Sequence, residues 1–264
     1  MSHSIHLLSS SRLRAVWRAL LLVVWVLIWF LPVLLMWLLR SQTIRRYLVH
    51  VFFRGVTHII GFEIRTTGMP SPARPLLLVA NHASYSDVFV LASLLPLSFT
   101  PKQEVRSWPV IGFFCVLADS VFVERKPSQL QEARDKMQAR LDLGKALCIF
   151  PEGTTNDGIH IKPFKSGFFS LAEDEPLPVQ PVTISYTAVA HQPIPRDAYD
   201  RVAWVGEATF FGHFLRLLGY PSVTVEVCFH APKKLEDFED RKALSGACQA
   251  VIQEHHTKVL GYAR

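Results

Sequence analysis

Leu76-Leu77-Leu78-Val79-Ala80-Asn81-His82-Ala83-Ser84-Tyr85-Ser86-Asp87 is the stretch on which the reading of this chain turns. Five apolar residues in succession suit a short strand buried on both faces, as in a parallel sheet. The apolar run stops abruptly, with a His at the strand end and an Asp five positions later. If Ser84 caps the helix that follows, Asp87 falls in its first turn and faces back toward the loop. One carboxylate oxygen then accepts from one imidazole nitrogen, which sets the tautomer and leaves the other nitrogen as a base. His and Asp five apart are common by chance, so this pair alone is more often structural than chemical.

Downstream, strand and helix patterns alternate. Residues 84–95 read as helix and 97–100 as a second strand. Residues 104–118 carry helical spacing interrupted by Pro109 and Gly112, and 120–123 read as a strand. An exposed amphipathic helix spans 128–143, with Leu130, Ala133, Met137 and Leu141 on one face. A strand over 146–150 ends at Pro151, a short helix covers 163–172, strands cover 179–186 and 222–229, and 238–260 form a closing helix. This alternation predicts a three-layer α/β domain with a mostly parallel sheet. In such sheets ligands bind beyond the carboxyl ends of the strands.

Upstream, Pro70, Pro72 and Pro75 mark a boundary with a segment of different character. The whole chain has 264 residues, is 50% hydrophobic and carries a net charge of +6. It is too apolar for a disordered chain. The first 66 residues hold eight Arg, no Lys and one acid, Glu63, for a net of +7; the other 198 hold 20 basic and 21 acidic residues, for −1. Ala19–Leu39 is 21 residues without a charge, with Trp17, Trp25, Trp29 and Trp37 in or beside it. About 20 apolar residues span a bilayer as a helix. Arg12, Arg14 and Arg18 before the run and Arg40, Arg45 and Arg46 after it suit an interfacial girdle. Residues 43–60 mix Arg with Phe, Val and Ile, as an amphipathic helix on a membrane surface does. The expected organisation is a membrane anchor over 1–66, made of an apolar helix 19–39 and an amphipathic helix 43–60, then a catalytic domain over 67–264.

Several functions find no support. The near-neutral part beyond residue 66 lacks the basic clusters of a nucleic-acid binder. There is no GxSxG elbow and no glycine-rich nucleotide loop. Cys115, Cys148, Cys228 and Cys248 have no close pairing, and the histidines other than His82 show no ligand spacing, so no metal is expected.

A second group of motifs gives the His82–Asp87 pair its weight. Phe150-Pro151-Glu152-Gly153-Thr154-Thr155 closes another strand. Between the two lie Lys102-Gln103-Glu104, Trp108-Pro109-Val110-Ile111-Gly112 and Phe122-Val123-Glu124-Arg125; Val179-Gln180-Pro181-Val182 follows. In this order the blocks NHxxxxD, KxE…PxxG with a downstream Arg, FPEGT and an apolar Pro-containing block resemble the glycerolipid acyltransferase family. That family includes the bacterial 1-acyl-sn-glycerol-3-phosphate acyltransferases, and the likeness extends over nearly all of the chain after the anchor.

The resemblance implies a fatty acyl group moved from acyl-CoA or acyl carrier protein, as co-substrate with no further cofactor, to a lysolipid hydroxyl. It casts His82 as general base and Asp87 as its orienting acid. It places Arg125, Lys102, Glu152, Gly153 and Thr154 about the substrate: Arg125 on a phosphate, Gly153 amides on an oxyanion or phosphate, Glu152 fixing the loop. The implied acceptor is 1-acyl-sn-glycerol-3-phosphate, giving phosphatidate in phospholipid biosynthesis. The implied location is the inner membrane, with the catalytic domain on its cytoplasmic side. One position departs from the pattern. Members that use lysophosphatidate usually carry Arg after FPEGT, where this chain has Thr155. Lys162 or Lys165 is placed to replace that cation; otherwise the acceptor is a lysolipid without a terminal phosphate, such as lyso-ornithine lipid.

Overall fold

Leu76–Ala80 is buried along its whole length because its side chains divide between two cores. Leu76, Leu78 and Ala80 join a cluster that includes the N-terminal helices, while Leu77 and Val79 join another on the opposite face. The computed structural model describes residues 10–38, 42–108, 111–124, 130–206 and 208–261. In chain order the helices are α1 (Arg12–Leu38), α2 (Gln42–Ile60), α3 (Ser86–Leu94), α4 (Ile111–Leu117), α5 (Leu130–Asp142), α6 (Phe210–Gly219) and α7 (Arg241–Leu260). The strands are β1 (Phe62–Gly68), β2 (Leu76–Ala80), β3 (Ser98–Phe99), β4 (Ala146–Ile149), β5 (Val179–Val189), β6 (Gln192–Pro193) and β7 (Val223–Phe229).

The sheet runs β1-β7-β5-β2-β4-β3, with β6 attached to β5. The pairs β1·β7, β5·β2, β2·β4 and β4·β3 are parallel; β7·β5 and β5·β6 are antiparallel. Helices on both faces complete the three layers that the alternating pattern predicts. On one side, Ala133, Met137 and Leu141 of α5 pack with Leu244, Cys248 and Ile252 of α7. Asp240 starts α7 by accepting from the amides of Lys242 and Ala243, both at 2.8 Å, which sets its start later than the apolar pattern suggests.

Some elements differ from expectation. Residues 120–123 run extended beside β3, with Val121 N–H donating to Phe99 O and Val123 N–H to Pro101 O. They form only an isolated bridge, Lys102 with Val123, because β3 is two residues long. Residues 163–172 contain a 3-10 helix over Ser166–Ala172. The sheet also takes in residues 62–66, which charge and hydropathy grouped with the anchor, since β1 pairs along its length with β7.

The N-terminal helices pack on this domain. Trp25 of α1 donates to the Phe52 carbonyl of α2 at 3.0 Å, a close approach that Gly55 permits, since a Cβ there would fall 2.1 Å from the Trp25 ring. Phe52 stacks on Phe114 of α4 at 3.8 Å between centroids, Phe53 on Phe89 of α3 at 5.6 Å, and Phe30 on Phe113 at 5.4 Å. The outer side of α1 is bare, with Leu13, Val16, Leu20, Val23, Val24, Leu27 and Leu31 all exposed. Arg12–Pro32 is long and apolar enough to cross a membrane, with mean hydropathy 2.1.

Two of the basic residues expected at the membrane interface point at protein instead. Arg18 donates to the carbonyls of Leu218 (3.2 Å), Tyr220 (2.6 Å) and Pro221 (2.9 Å), and Arg14 to that of Gly219 (2.9 Å). They cap the carboxyl end of α6, where orphan carbonyls and the helix dipole favour cations. Replacing both with Ala is expected to cost about 1–3 kcal/mol locally and to speed hydrogen exchange over 212–220 and the first turns of α1. Unchanged exchange there would show that the contacts hold nothing in place.

Candidate active site

The carboxyl ends of β2 and β4 meet at one rim, and β5 runs on past it. His82 leaves β2 and turns its Nδ1 onto Asp87 Oδ2 at 2.9 Å. Asp87 is fully buried in the first turn of α3. The same Oδ2 accepts from the amides of Ala83 (2.8 Å) and Ser84 (2.9 Å), and Oδ1 accepts from the Tyr186 hydroxyl of β5 at 2.6 Å. The pair therefore forms as the spacing suggests, but by another route at the helix start. Tyr85, not Ser84, is the N-cap, and it makes no side-chain cap bond. Asp87 reaches back and takes the two loop amides itself.

With Nδ1 donating to a carboxylate, His82 keeps its lone pair on Nε2. The ring lies flat against Phe150, with centroids 4.0 Å apart and planes 16° from parallel, which limits its rotation. Burial and the charge of Asp87 push the Tyr186 hydroxyl well above its ordinary pKa range, so it stays a neutral donor. Its oxygen also lies 2.9 Å from Ser86 Oγ, which bonds Ser84 Oγ at 2.9 Å.

Glu152 ties β4 to β2. Its Oε1 accepts from the His82 amide at 2.7 Å, and its Oε2 accepts from the Lys162 amide at 2.8 Å and from Asn156 Nδ2. Asn156 returns its own amide to the His82 carbonyl at 3.1 Å. Burial raises the Glu152 pKa, and these donors offset part of that rise. These bonds join the loop after β4 to the residue that follows β2. On the other side of β2, Asn81 bonds both the N–H and the C=O of Ile184, each at 2.8 Å, and so extends the β2–β5 pairing past the end of the strand.

The other anticipated residues are placed unevenly. Gly153 has φ +75°, and its Cα faces Lys165, whose Nζ would lie 2.8 Å from any added Cβ. Its amide donates to the Phe150 carbonyl at 2.9 Å, so that donor is spent within the turn. The amides of Thr154 and Thr155 make no hydrogen bond among the described residues. Lys162 Nζ donates to the Thr155 carbonyl at 3.2 Å. Lys102 follows β3 on the same rim, exposed. Arg125 lies outside the described residues. Sequence reasoning missed Tyr186, Phe150, Asn156 and Asn81 as parts of the site. The available signals were a Tyr four positions beyond Val182, in the strand that carries the Pro-containing block, and a second polar residue four positions after Glu152.

Beside the dyad, Tyr85 is packed in an aromatic group with Trp204 (5.4 Å), Phe210 (4.7 Å) and His213 (5.5 Å), and Trp108 lies 5.2 Å from Phe210. The Trp204 amide bonds the Ala83 carbonyl at 2.8 Å, so this group is anchored to the His82 loop. The reading of Trp204 as a packing residue fits these contacts.

Comparison with known proteins agrees with this architecture. Residues 63–185 match the family model described as Acyltransferase. A lyso-ornithine lipid O-acyltransferase of Brucella abortus is 39% identical over 209 residues, covering 76% of this chain and 78% of that protein. A 1-acyl-sn-glycerol-3-phosphate acyltransferase of Neisseria gonorrhoeae is 31% identical over 197 residues, covering 74% of each. The crystal structure of the 1-acyl-sn-glycerophosphate acyltransferase PlsC from Thermotoga maritima superposes with a TM-score of 0.72 over 96% of this chain and 97% of that one, at 19% identity.

Glu152→Gln is expected to destabilise the protein by about 1–3 kcal/mol, because an amide turns one acceptor atom into a donor facing N–H groups. Thermal unfolding measures this. An unchanged melting temperature would contradict a structural role for the carboxylate.

Proposed function

The chain belongs to the acyltransferase family, and on that premise we propose that it moves a fatty acyl group from a thioester donor to the free hydroxyl of a lysolipid. The observation that carries the mechanism is the His82 Nδ1–Asp87 Oδ2 bond at 2.9 Å, with Asp87 immobilised by three further donors. In the proposed step, His82 Nε2 takes the proton of the acceptor hydroxyl as that oxygen attacks the thioester carbonyl. Asp87 stabilises the imidazolium that forms, as the acid of a Ser-His-Asp triad does. The tetrahedral intermediate collapses, the C–S bond breaks, and the thiolate recovers the proton from the imidazolium. No covalent enzyme intermediate and no cofactor are required, since the thioester, on coenzyme A or acyl carrier protein, is already activated. With the Gly153 amide spent, the amides of Thr154 and Thr155 are the better candidates for oxyanion donors at this turn.

For the acceptor we favour lyso-ornithine lipid. Relatives of that printed activity from Brucella abortus and Rhizobium meliloti are 39% and 32% identical to this chain. Thr155 points the same way: an ornithine headgroup offers a carboxylate rather than a phosphate dianion and calls for fewer cations. A second reading, 1-acyl-sn-glycerol-3-phosphate, draws on the Neisseria relative and on Lys162 and Lys165, both beside the Glu152–Thr155 turn. The bare apolar side of α1 supports a site of action at a membrane, where an amphiphilic acceptor resides. We place the catalytic domain on the cytoplasmic side, where thioester donors are made.

Two outcomes are expected. His82→Ala lowers kcat by about 10²–10⁴-fold while the melting temperature holds; turnover equal to wild type would overturn the role given to His82. In a competition assay with one acyl-CoA and one acyl carrier protein donor, lyso-ornithine lipid outcompetes 1-acyl-sn-glycerol-3-phosphate. The reverse preference would establish the second reading.

A further inference from the structure

On the far side of the β5–β7 pair, beneath α7, three side chains with metal-ligating atoms converge. Cys228 lies near the end of β7, His230 just beyond it, and His255 on α7. One ligand atom from each falls within 4.8 Å of the others. Cys228 Sγ is 3.9 Å from His230 Nδ1, and the two imidazole rings are 5.3 Å apart, nearly perpendicular at 81°. None of the three takes part in the His82 site.

His230 is fixed on one side. Its Nε2 is 2.7 Å from Thr183 Oγ1, and that hydroxyl has the Ile252 carbonyl within reach at 3.5 Å. In the tautomer with Nε2–H donating to the hydroxyl, the lone pair of Nδ1 faces Cys228. This is the arrangement that orients metal-bound imidazoles, in which one nitrogen is fixed by an outer hydrogen bond and the other binds. His255 Nδ1 is buried with no hydrogen-bond partner among the described residues. Buried polar atoms are rarely left so. Cys228 is a free, buried thiol.

We propose that Cys228, His230 and His255 form a zinc-binding site that clips α7 to the end of β7. One sulfur and two imidazoles suit a borderline-soft cation over calcium or magnesium. Tetrahedral zinc, with bonds of about 2.3 Å to sulfur and about 2.0–2.1 Å to nitrogen, brings S and N to roughly 3.6 Å apart. The observed 3.9 Å needs only a small closure. Binding forms the Zn–S bond as the thiol proton leaves to solvent, and a water fills the fourth position. The spacing Cys-x-His with a His 25 positions later is no familiar motif, which is why the histidines read as incidental in sequence. The fold alone assembles the set.

The test uses the full-length protein in detergent without a histidine tag. Expected are about one zinc per chain by elemental analysis and, with Co²⁺ as the probe metal, a near-ultraviolet thiolate-to-cobalt charge-transfer band. Cys228→Ser abolishes the band, and Thr183→Val, which removes the outer hydrogen bond, weakens binding by about 10–100-fold. A chelator lowers the melting temperature of the wild type and leaves Cys228→Ser unchanged. Absence of the cobalt band from the wild type would overturn the proposal, and that reading needs no variant to fold. Zinc content unaffected by Cys228→Ser would overturn it equally. Neither result depends on the acyl transfer proposed above.

Discussion

The carboxylate of Asp87 is fully buried, and a buried charge is tolerated only where donors surround it. That requirement shapes the rim of the sheet. The loop after β2 must fold back so that the amides of Ala83 and Ser84 reach Oδ2. The imidazole of His82 must take the remaining approach to that oxygen. β5 must continue past the end of β2 so that Tyr186 arrives at Oδ1. Glu152, a second buried carboxylate, applies the same constraint to the loop after β4 and binds it to the His82 amide. Two acids thus lock the ends of β2 and β4 to β5 and leave one imidazole nitrogen with no partner among the described residues.

The N-terminal helices are fastened to this body in a way that charge and hydropathy did not suggest. The aromatic contacts of Phe52, Phe53 and Phe30 bring α2 and α1 onto α3 and α4, and Arg14 and Arg18 close the end of α6. The exposed apolar side of α1 is therefore carried at a defined orientation to the rim. For the acceptor proposed above, such coupling would hold lipid and the proposed base in one frame.

Much of this was legible in the residues. The run of Leu76–Ala80 marked a strand with two covered faces, since five apolar side chains in succession, bounded by Pro75 and Asn81, suit one. The His82–Asp87 pair and the Glu152 turn stood out because polar residues follow strands abruptly there. Less visible were β1 and α6. The first carries Glu63, Arg65, Thr66 and Thr67 and reads as a polar edge, and the second is short and follows a glycine-containing loop. Tyr186, Asn81 and Asn156 were missed because their value lies in partners 99, 103 and 4 residues away, and only the closest is within local view.

By itself the sequence determined the layer architecture and the apolar stretch ahead of the domain, because periodicity and composition are local properties of a chain; His82 and Asp87 gained their weight only through the resemblance of the motif blocks to a family. Tertiary structure alone decided which groups hold His82 and Asp87, that the Gly153 amide is consumed by its own turn, that Arg14 and Arg18 face a helix end, and that Cys228, His230 and His255 share one spot. Those outcomes depend on register and on which strand ends lie side by side. Hydrogen bonds and metal ligation act over about 2–4 Å, so they are set by packing distance and not by separation along the chain.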